Sequence, residues 1–289
     1  MSTKQKPLPN ELELPQCGVD THAHLDLPQF KADLPAVLER SRDSGLRYLV
    51  NVFLGPEAYL AGKSLFDSHP EVFFALGQHP HEAEQLDIEA LSRLEEYISR
   101  DARIRAMGEI GLDFFRLRSS EERQIRAFRD QLRLARDYDW PVVIHSREAA
   151  QRTLEILRDM GFAERPVLWH CFAGDGRLAR EVAAMGWMVS VPGTLTYTKA
   201  SDLRLAVQEL PLSRIVLETD CPFLSPEPYR GQRNEPAFTV FTARALAEAK
   251  GLAVEDVWKR TGDNAISFFS LQRPAEGGST DGPEARGQE

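Results

Sequence analysis

In Asp20-Thr21-His22-Ala23-His24, two imidazoles recur at a spacing that could do chemistry. Side chains two apart on an extended strand face the same side, so His22 and His24 can reach one cation together. An isolated H-x-H pair carries little weight, because polar residues at strand ends are common. Weight comes from four more residues, each closing a short β-rich run: Glu109 in MGEIGLD, His145 in VVIHS, His170 in VLWHCF and Asp220 in IVLETD. A buried carboxylate without a partner is costly or takes up a proton, and divalent cations would give all six residues a partner. Mixed nitrogen and oxygen donors suit Zn, Mn, Fe or Ni better than Ca, and a site open on one side also accepts Mg, less tightly. The expectation is a pair of divalent cations, with Zn, Mn, Mg or Ni left open. Two such ions roughly 3.5–4 Å apart can share a carboxylate and activate a water for hydrolysis. Glu109, on a middle strand, is suited to bridge them, and Asp220 to bind one and orient or deprotonate the attacking water.

Other residues offer less. His79, in GQHPHE, is a candidate to donate a proton or a hydrogen bond to substrate, while His81 and Glu82 read as the surface loop that follows and His69 as a loop residue. Arg147, Arg230 and Arg233 are candidates to meet a substrate phosphate, although exposed, solvated arginines explain them equally well. Arg123, Arg126, Arg129, Arg133 and Arg136 fall among acids on one helical segment and read as a solvated, salt-bridged face. There is no G-x-S-x-G elbow, and Cys17, Cys171 and Cys221 form no C-x-x-C pair, which disfavours a protein nucleophile, a disulfide framework and a thiolate zinc site. A net charge of −9 argues against a broad electrostatic grip on nucleic acid. It leaves room for a phosphate substrate, because bound cations reverse the sign of a small site.

To bring these residues together, the chain needs strands whose ends meet. β-rich runs at 18–24, 48–53, 72–78, 104–110, 142–146, 167–172, 188–193 and 215–220 alternate with helical patterns, in one of which Ile125, Phe128, Leu132 and Ala135 form an apolar stripe. Eight βα units without a G-x-G-x-x-G after an early strand predict a (β/α)8 TIM barrel rather than an open doubly wound sheet. All six residues then fall at the C-terminal mouth, where such barrels gather their reactive groups. Asn234 is expected to cap a helix after a Pro-rich loop, with terminal helices near 237–250 and 253–270. The organisation reads as an N-terminal extension at 1–16, one barrel domain at 17–271 and a disordered polar tail at 272–289. The 289 residues, 42% hydrophobic, hold no run of about 20 apolar residues and no apolar signal core near the start, so a cytoplasmic protein without a membrane span is expected.

Taken in order, VDTHAHLD (19–26), LGQHPHE (76–82), MGEIGLDFFR (107–116), PVVIHSREA (141–149), VLWHCFAGD (167–175), IVLETDCPFLSP (215–226), RGQRNEPAF (230–238) and TGDNAISFF (261–269) resemble the TatD family of metal-dependent deoxyribonucleases, within the amidohydrolase-like barrels. The resemblance implies that His22, His24 and Asp220 hold one metal, that His145 and His170 hold the other, and that Glu109 bridges them where many amidohydrolases use a carboxylated lysine. Phe114–Phe115 stands where the family commonly has a tyrosine pair, which bears on substrate contacts only. The implied activity is hydrolysis of DNA phosphodiesters by metal-activated water, as a 3′→5′ exonuclease on single-stranded ends. The alternative is hydrolysis of a small ester, amide or phosphoester, or of aminoacyl-tRNA esters, because the same activated water attacks carbonyl carbon.

Overall fold

The structure, a computed structural model, describes residues 6–272. All but the first residue of the expected tail at 272–289 lies outside the described residues. Among the described residues the strands are β1 (Gly18–Ala23), β2 (Leu46–Leu54), β3 (Val72–Gly77), β4 (Ile104–Asp113), β5 (Val142–Arg147), β6 (Val167–Trp169), β7 (Met188–Val191) and β8 (Ile215–Leu217). They pair in parallel in chain order, forming a nearly closed barrel. The helices are α1 (Leu34–Asp43), α2 (Pro56–Gly62), α3 (Ile88–Arg100), α4 (Glu121–Asp137), α5 (Ala150–Asp159), α6 (Gly176–Ala184), α7 (Ser201–Glu209), α8 (Thr239–Lys250) and α9 (Val254–Phe269). None is long and apolar enough to cross a membrane.

Closure falls to residues beyond β8. Asp220 N–H donates to His22 O at 2.8 Å, His24 N–H donates to Cys221 O at 2.9 Å, and Ala23 bridges Cys221. Buried Asp20 adds a clamp, accepting from Thr219 N–H at 2.9 Å and from its hydroxyl at 2.6 Å. His170 and Asp220 lie past the last residues of β6 and β8 rather than within them, contrary to the longer strands read from the sequence; His170 N–H still donates to Ile144 O of β5 at 3.0 Å, while after β8 the chain bonds across to β1.

Two bulges aim the functional side chains. Between Asp20 and Ala23, β1 advances three residues while β2 advances two, and β4 gains the same extra residue on β5 between Met107 and Ile110. An inserted residue inverts the alternation of a strand. Thus Val19 and Ala106 join the apolar barrel interior, and further along Ala23, Ile110 and Leu112 pack outward under the helices. His22, His24, Glu109 and Asp113 are left facing the mouth.

Phe128, Leu132 and Ala135 are buried as their spacing predicts, with Ile125 partly covered. The same face also buries Gln124 and Gln131, whose side-chain carbonyls accept the backbone N–H groups of Asp113 at 2.8 Å and Gln78 at 2.7 Å. α4 thus steadies two loops that carry site residues. Its arginines pair with Glu84, Asp130, Asp159 and Asp137, as a solvated face should. Asn234 is not a helix cap. Its amide donates to Thr219 O at 2.9 Å and Phe223 O at 2.6 Å, tying the Pro-rich loop to the end of β8. The described part of the N-terminal extension is held to the barrel by Trp258, whose indole N–H donates to Pro15 O at 2.8 Å.

Candidate metal centre

Glu109 sits at the centre of the mouth with one carboxylate oxygen turned to each side. Oε2 lies 3.3 Å from His22 Nε2. Oε1 lies 2.5 Å from His145 Nδ1 and 3.5 Å from each of His79 Nε2 and His170 Nε2. On the first side, His24 Nε2 is 3.3 Å from His22 Nε2 and 3.4 Å from Asp220 Oδ1. The His22 and His170 rings stack, with centroids 3.5 Å apart. The six residues expected to converge do converge, and all but the partly buried His145 and Asp220 are buried.

The outer partners decide which nitrogen of each ring faces inward. His24 Nδ1 lies 2.9 Å from Val52 O, and His170 Nδ1 lies 2.8 Å from Glu218. A proton on each Nδ1 satisfies those acceptors and leaves Nε2 as a free lone pair, which is the arrangement of a metal-ligating histidine. His145 is turned the other way: Nε2 lies 3.3 Å from Asp113, so Nδ1 is the inward atom. His79 differs in kind. Its Nδ1 accepts from His81 N–H at 3.1 Å, so in the neutral ring the proton is on Nε2 and points into the site.

The arrangement fits divalent cations. His22 Nε2 and His24 Nε2 face each other at 3.3 Å beside the carboxylates of Glu109 and Asp220, a mixed nitrogen and oxygen donor set of the kind that holds divalent cations. With protons as the only cations, burial opposes charging His24, His145 and His170. Asp220, Glu109 and Glu218 respectively lead the opposing pull and hold each ring up to about 9. Burial likewise opposes the charge on Glu109, yet His170, His79 and His145 keep its carboxyl well below the ordinary range. Burial takes His79 the other way, down to about 4, so its ring stays neutral. Protons and cations therefore compete for the same nitrogens.

Four contributors escaped the sequence reading. Glu218 is fully buried, accepts from the Ser190 hydroxyl and holds His170. It stands two residues before Asp220, so the rule that pairs His22 with His24 would have found it. Asp113, four residues past Glu109, accepts from Phe115 and Arg116 N–H at 3.0 and 2.8 Å and orients two histidines. His81 is one of them, 2.7 Å from Asp113, and not the surface-loop residue its position suggested. Asp20 is the fourth; burial raises its carboxyl to about 8 despite the Thr219 hydrogen bonds.

The three arginines separate. Arg233 is engaged by both oxygens of Asp33 at 2.7 and 2.8 Å, which takes its guanidinium out of the phosphate-binding set. Arg147 and Arg230 are exposed, form no ion pair among the described residues, and lie over the rings of Phe115 and Tyr197. Away from the mouth, a cavity of about 510 Å³ beside Arg165, Met188, Arg214 and Phe268 opens near the strand starts, with no cluster of metal-ligating groups in its lining.

Comparison with known proteins agrees with this geometry. Residues 19–270 match the family described as TatD related DNase. An uncharacterized metal-dependent hydrolase of Bacillus subtilis, YabD, is 33% identical over 87% of this chain and 98% of its own length. YcfH of Escherichia coli, described in the same words, is 32% identical over 88% of this chain and 96% of its own. The crystal structure of YjjV, a TatD homolog from Escherichia coli, superposes with a TM-score of 0.83 at 30% identity, covering 88% of this chain and 98% of that one.

Proposed function

This chain belongs to the TatD-related DNase family and is a metal-dependent hydrolase, and on that premise we propose that it cleaves phosphodiester bonds at single-stranded DNA ends, as a 3′→5′ exonuclease. The observation that carries the reading is the orientation of Glu109, with Oε2 toward His22 and Oε1 toward His145 and His170. One cation would be held by His22 Nε2, His24 Nε2 and Asp220, the other by His145 Nδ1 and His170 Nε2, and Glu109 would serve both. When bound, two divalent cations supply the Lewis acidity that lowers the pKa of a water and offsets charge on the phosphoryl oxygens.

The protein's own groups supply the rest. Asp220, partly open to solvent beside β1, takes the proton of the attacking water. His79 acts as a hydrogen-bond donor through Nε2–H, because a ring held neutral to about pH 4 has no second proton to give near neutrality. Glu218 and Asp113 hold the His170 and His145 rings in register, so no reorientation is needed when substrate arrives. Arg147 and Arg230, at the rim, meet phosphates of the strand. A recessed site of this kind admits a strand terminus more readily than the middle of a duplex, which favours exonucleolytic action on unpaired ends.

The test is protein reconstituted with Mn or Mg, its metal content measured, acting on 3′-end-labelled and internally labelled single strands. Release of the 3′-terminal nucleotide first is expected. No product from either label with cations bound would overturn the nuclease reading, and turnover of small esters alone would redirect it.

A further inference from the structure

Two phenylalanines at the mouth are exposed although the chain has buried sites for aromatic side chains elsewhere. Phe115 is 53% exposed and Phe223 49%. They stand in the loops after β4 and β8, which are four strands apart in either direction around the barrel, so they lie on opposite sides of the mouth. Neither loop is slack. Phe115 N–H donates to Asp113 at 3.0 Å, and Phe223 is held through N–H to Asp220 O at 3.0 Å and through its carbonyl by the Asn234 amide. Each backbone is thus anchored to a residue of the metal centre or its support, while each side chain stays about half exposed. The neighbouring Phe114 turns inward and packs on the core, so the exposure of Phe115 is not shared by its sequence neighbour.

Charge lies directly over one ring and near the loop that carries the other. The Arg147 guanidinium lies 4.0 Å from the centroid of Phe115, and Arg230 lies 4.3 Å from that of Tyr197, whose hydroxyl donates to Ser225 O in the loop that carries Phe223. The Phe223 ring is itself edge-on to His24, with centroids 6.4 Å apart. An exposed ring in the loop on each side of a hydrolytic centre, with an arginine over one ring and another in the same loop as the second, neither ion-paired among the described residues, suits the alternation of base and phosphate along an unpaired strand.

We propose that Phe115 and Phe223 are stacking platforms for the nucleobases on the two sides of the scissile phosphodiester, with Arg147 and Arg230 meeting the adjoining phosphates. The inference rests on the single-strand reading above and adds what recognises the substrate: the faces of the last two bases, irrespective of sequence. In a duplex the penultimate base is stacked on both faces and only the last has one face free, so a clamp that needs both bases favours unpaired ends.

The test compares a 3′-labelled oligothymidylate with versions abasic at the last or the penultimate position, using metal-loaded wild type, Phe115→Leu, Phe223→Leu and the corresponding tryptophan variants. Leucine keeps apolar bulk without a flat face, and measured metal content certifies each variant. Each abasic position should cost wild type at least about fivefold in kcat/KM, the lower end for one base–aromatic stack. Each leucine variant should lose a similar factor on the intact strand and show no further loss at one of the two abasic positions, and tryptophan should retain the wild-type pattern. Leucine variants that keep both abasic penalties, or a wild type indifferent to abasic ends, would overturn the clamp and leave the nuclease reading standing. Metal-loaded wild type that leaves the intact strand uncut would instead overturn the nuclease reading itself, and the clamp with it.

Discussion

The two ends of this barrel are built from the same strands and share one interior face, yet they hold opposite kinds of side chain. Near the strand starts, Val19, Val50, Phe73, Ala106, Val143, Leu168, Met188 and Val216 give one residue from every strand to a single apolar cluster, which α9 closes with Ala265, Phe269 and the following Leu271. Gly18 lies directly under the Trp258 indole, where a Cβ would come within 1.9 Å of a ring carbon, so α9 is seated as closely as backbone permits. At the other end the interior is filled by histidines and carboxylates held by hydrogen bonds. Stability is concentrated where nothing reacts. The reactive end tolerates like charges and buried polar groups because the rest of the barrel supports them.

The sharpest way to break this division is Glu109→Gln. It should abolish occupancy of both proposed cations and lower activity by on the order of 10³ or more, since loss of one electrostatic donor alone typically costs about 10²–10³. The barrel should remain folded, by circular dichroism and thermal melting. Full occupancy of both ions in that variant would end the bridging assignment.

Phe269→Ala tests the opposite end. Phe269 is 1% exposed, and its truncation should cost roughly 3–5 kcal/mol of stability, read from denaturant unfolding, with metal content and turnover kept at temperatures where the variant stays folded. Loss of metal before loss of fold would show that the two ends are not separable.

Glu218→Gln has a smaller expected effect. It keeps the volume but weakens the hold on His170, and should reduce affinity for one cation roughly 10- to 100-fold while leaving the other nearly unchanged. Equal loss at both sites in a titration with Mn would contradict the split about Glu109.

The gentlest probe is pH. His24, His145 and His170 are raised to about 9, so below that value a binding cation must displace their protons. Apparent affinity for Mn should rise with pH, by about tenfold per unit for each proton displaced, and flatten near pH 9. Calorimetric titrations between pH 6.5 and 8.5 that gave one constant affinity would show that these rings carry no proton when the ion arrives.

Much of the site is legible in the sequence, because its residues obey short rules. His22 and His24 are two apart, and the remaining ligand candidates each close an apolar β-rich run, so knowing that a barrel forms suffices to gather them. Residues that support them were hidden for equally definite reasons. Gln124 and Gln131 lie on the buried face of α4, where a reading by hydropathy assigns amides to solvent, and only the packed structure shows the backbone groups they serve. His81 sits in a segment read as surface loop, and its role depends on Asp113, which comes 32 residues later. Arg147, Arg230 and Arg233 were indistinguishable in sequence, since an arginine's role depends on whether a carboxylate is within reach, and Asp33 is 200 residues from Arg233.

The sequence by itself determined the eight βα units, the identities of the six candidate ligands and the end of the barrel at which they would meet, because hydropathy period and strand position are local properties. Tertiary structure alone decided which nitrogen of a histidine faces inward, which arginines form no ion pair among the described residues and which phenylalanines stay exposed at the mouth. Those outcomes depend on partners that folding brings within about 3–4 Å, the range over which hydrogen bonds and ion pairs act, and no local pattern encodes that distance.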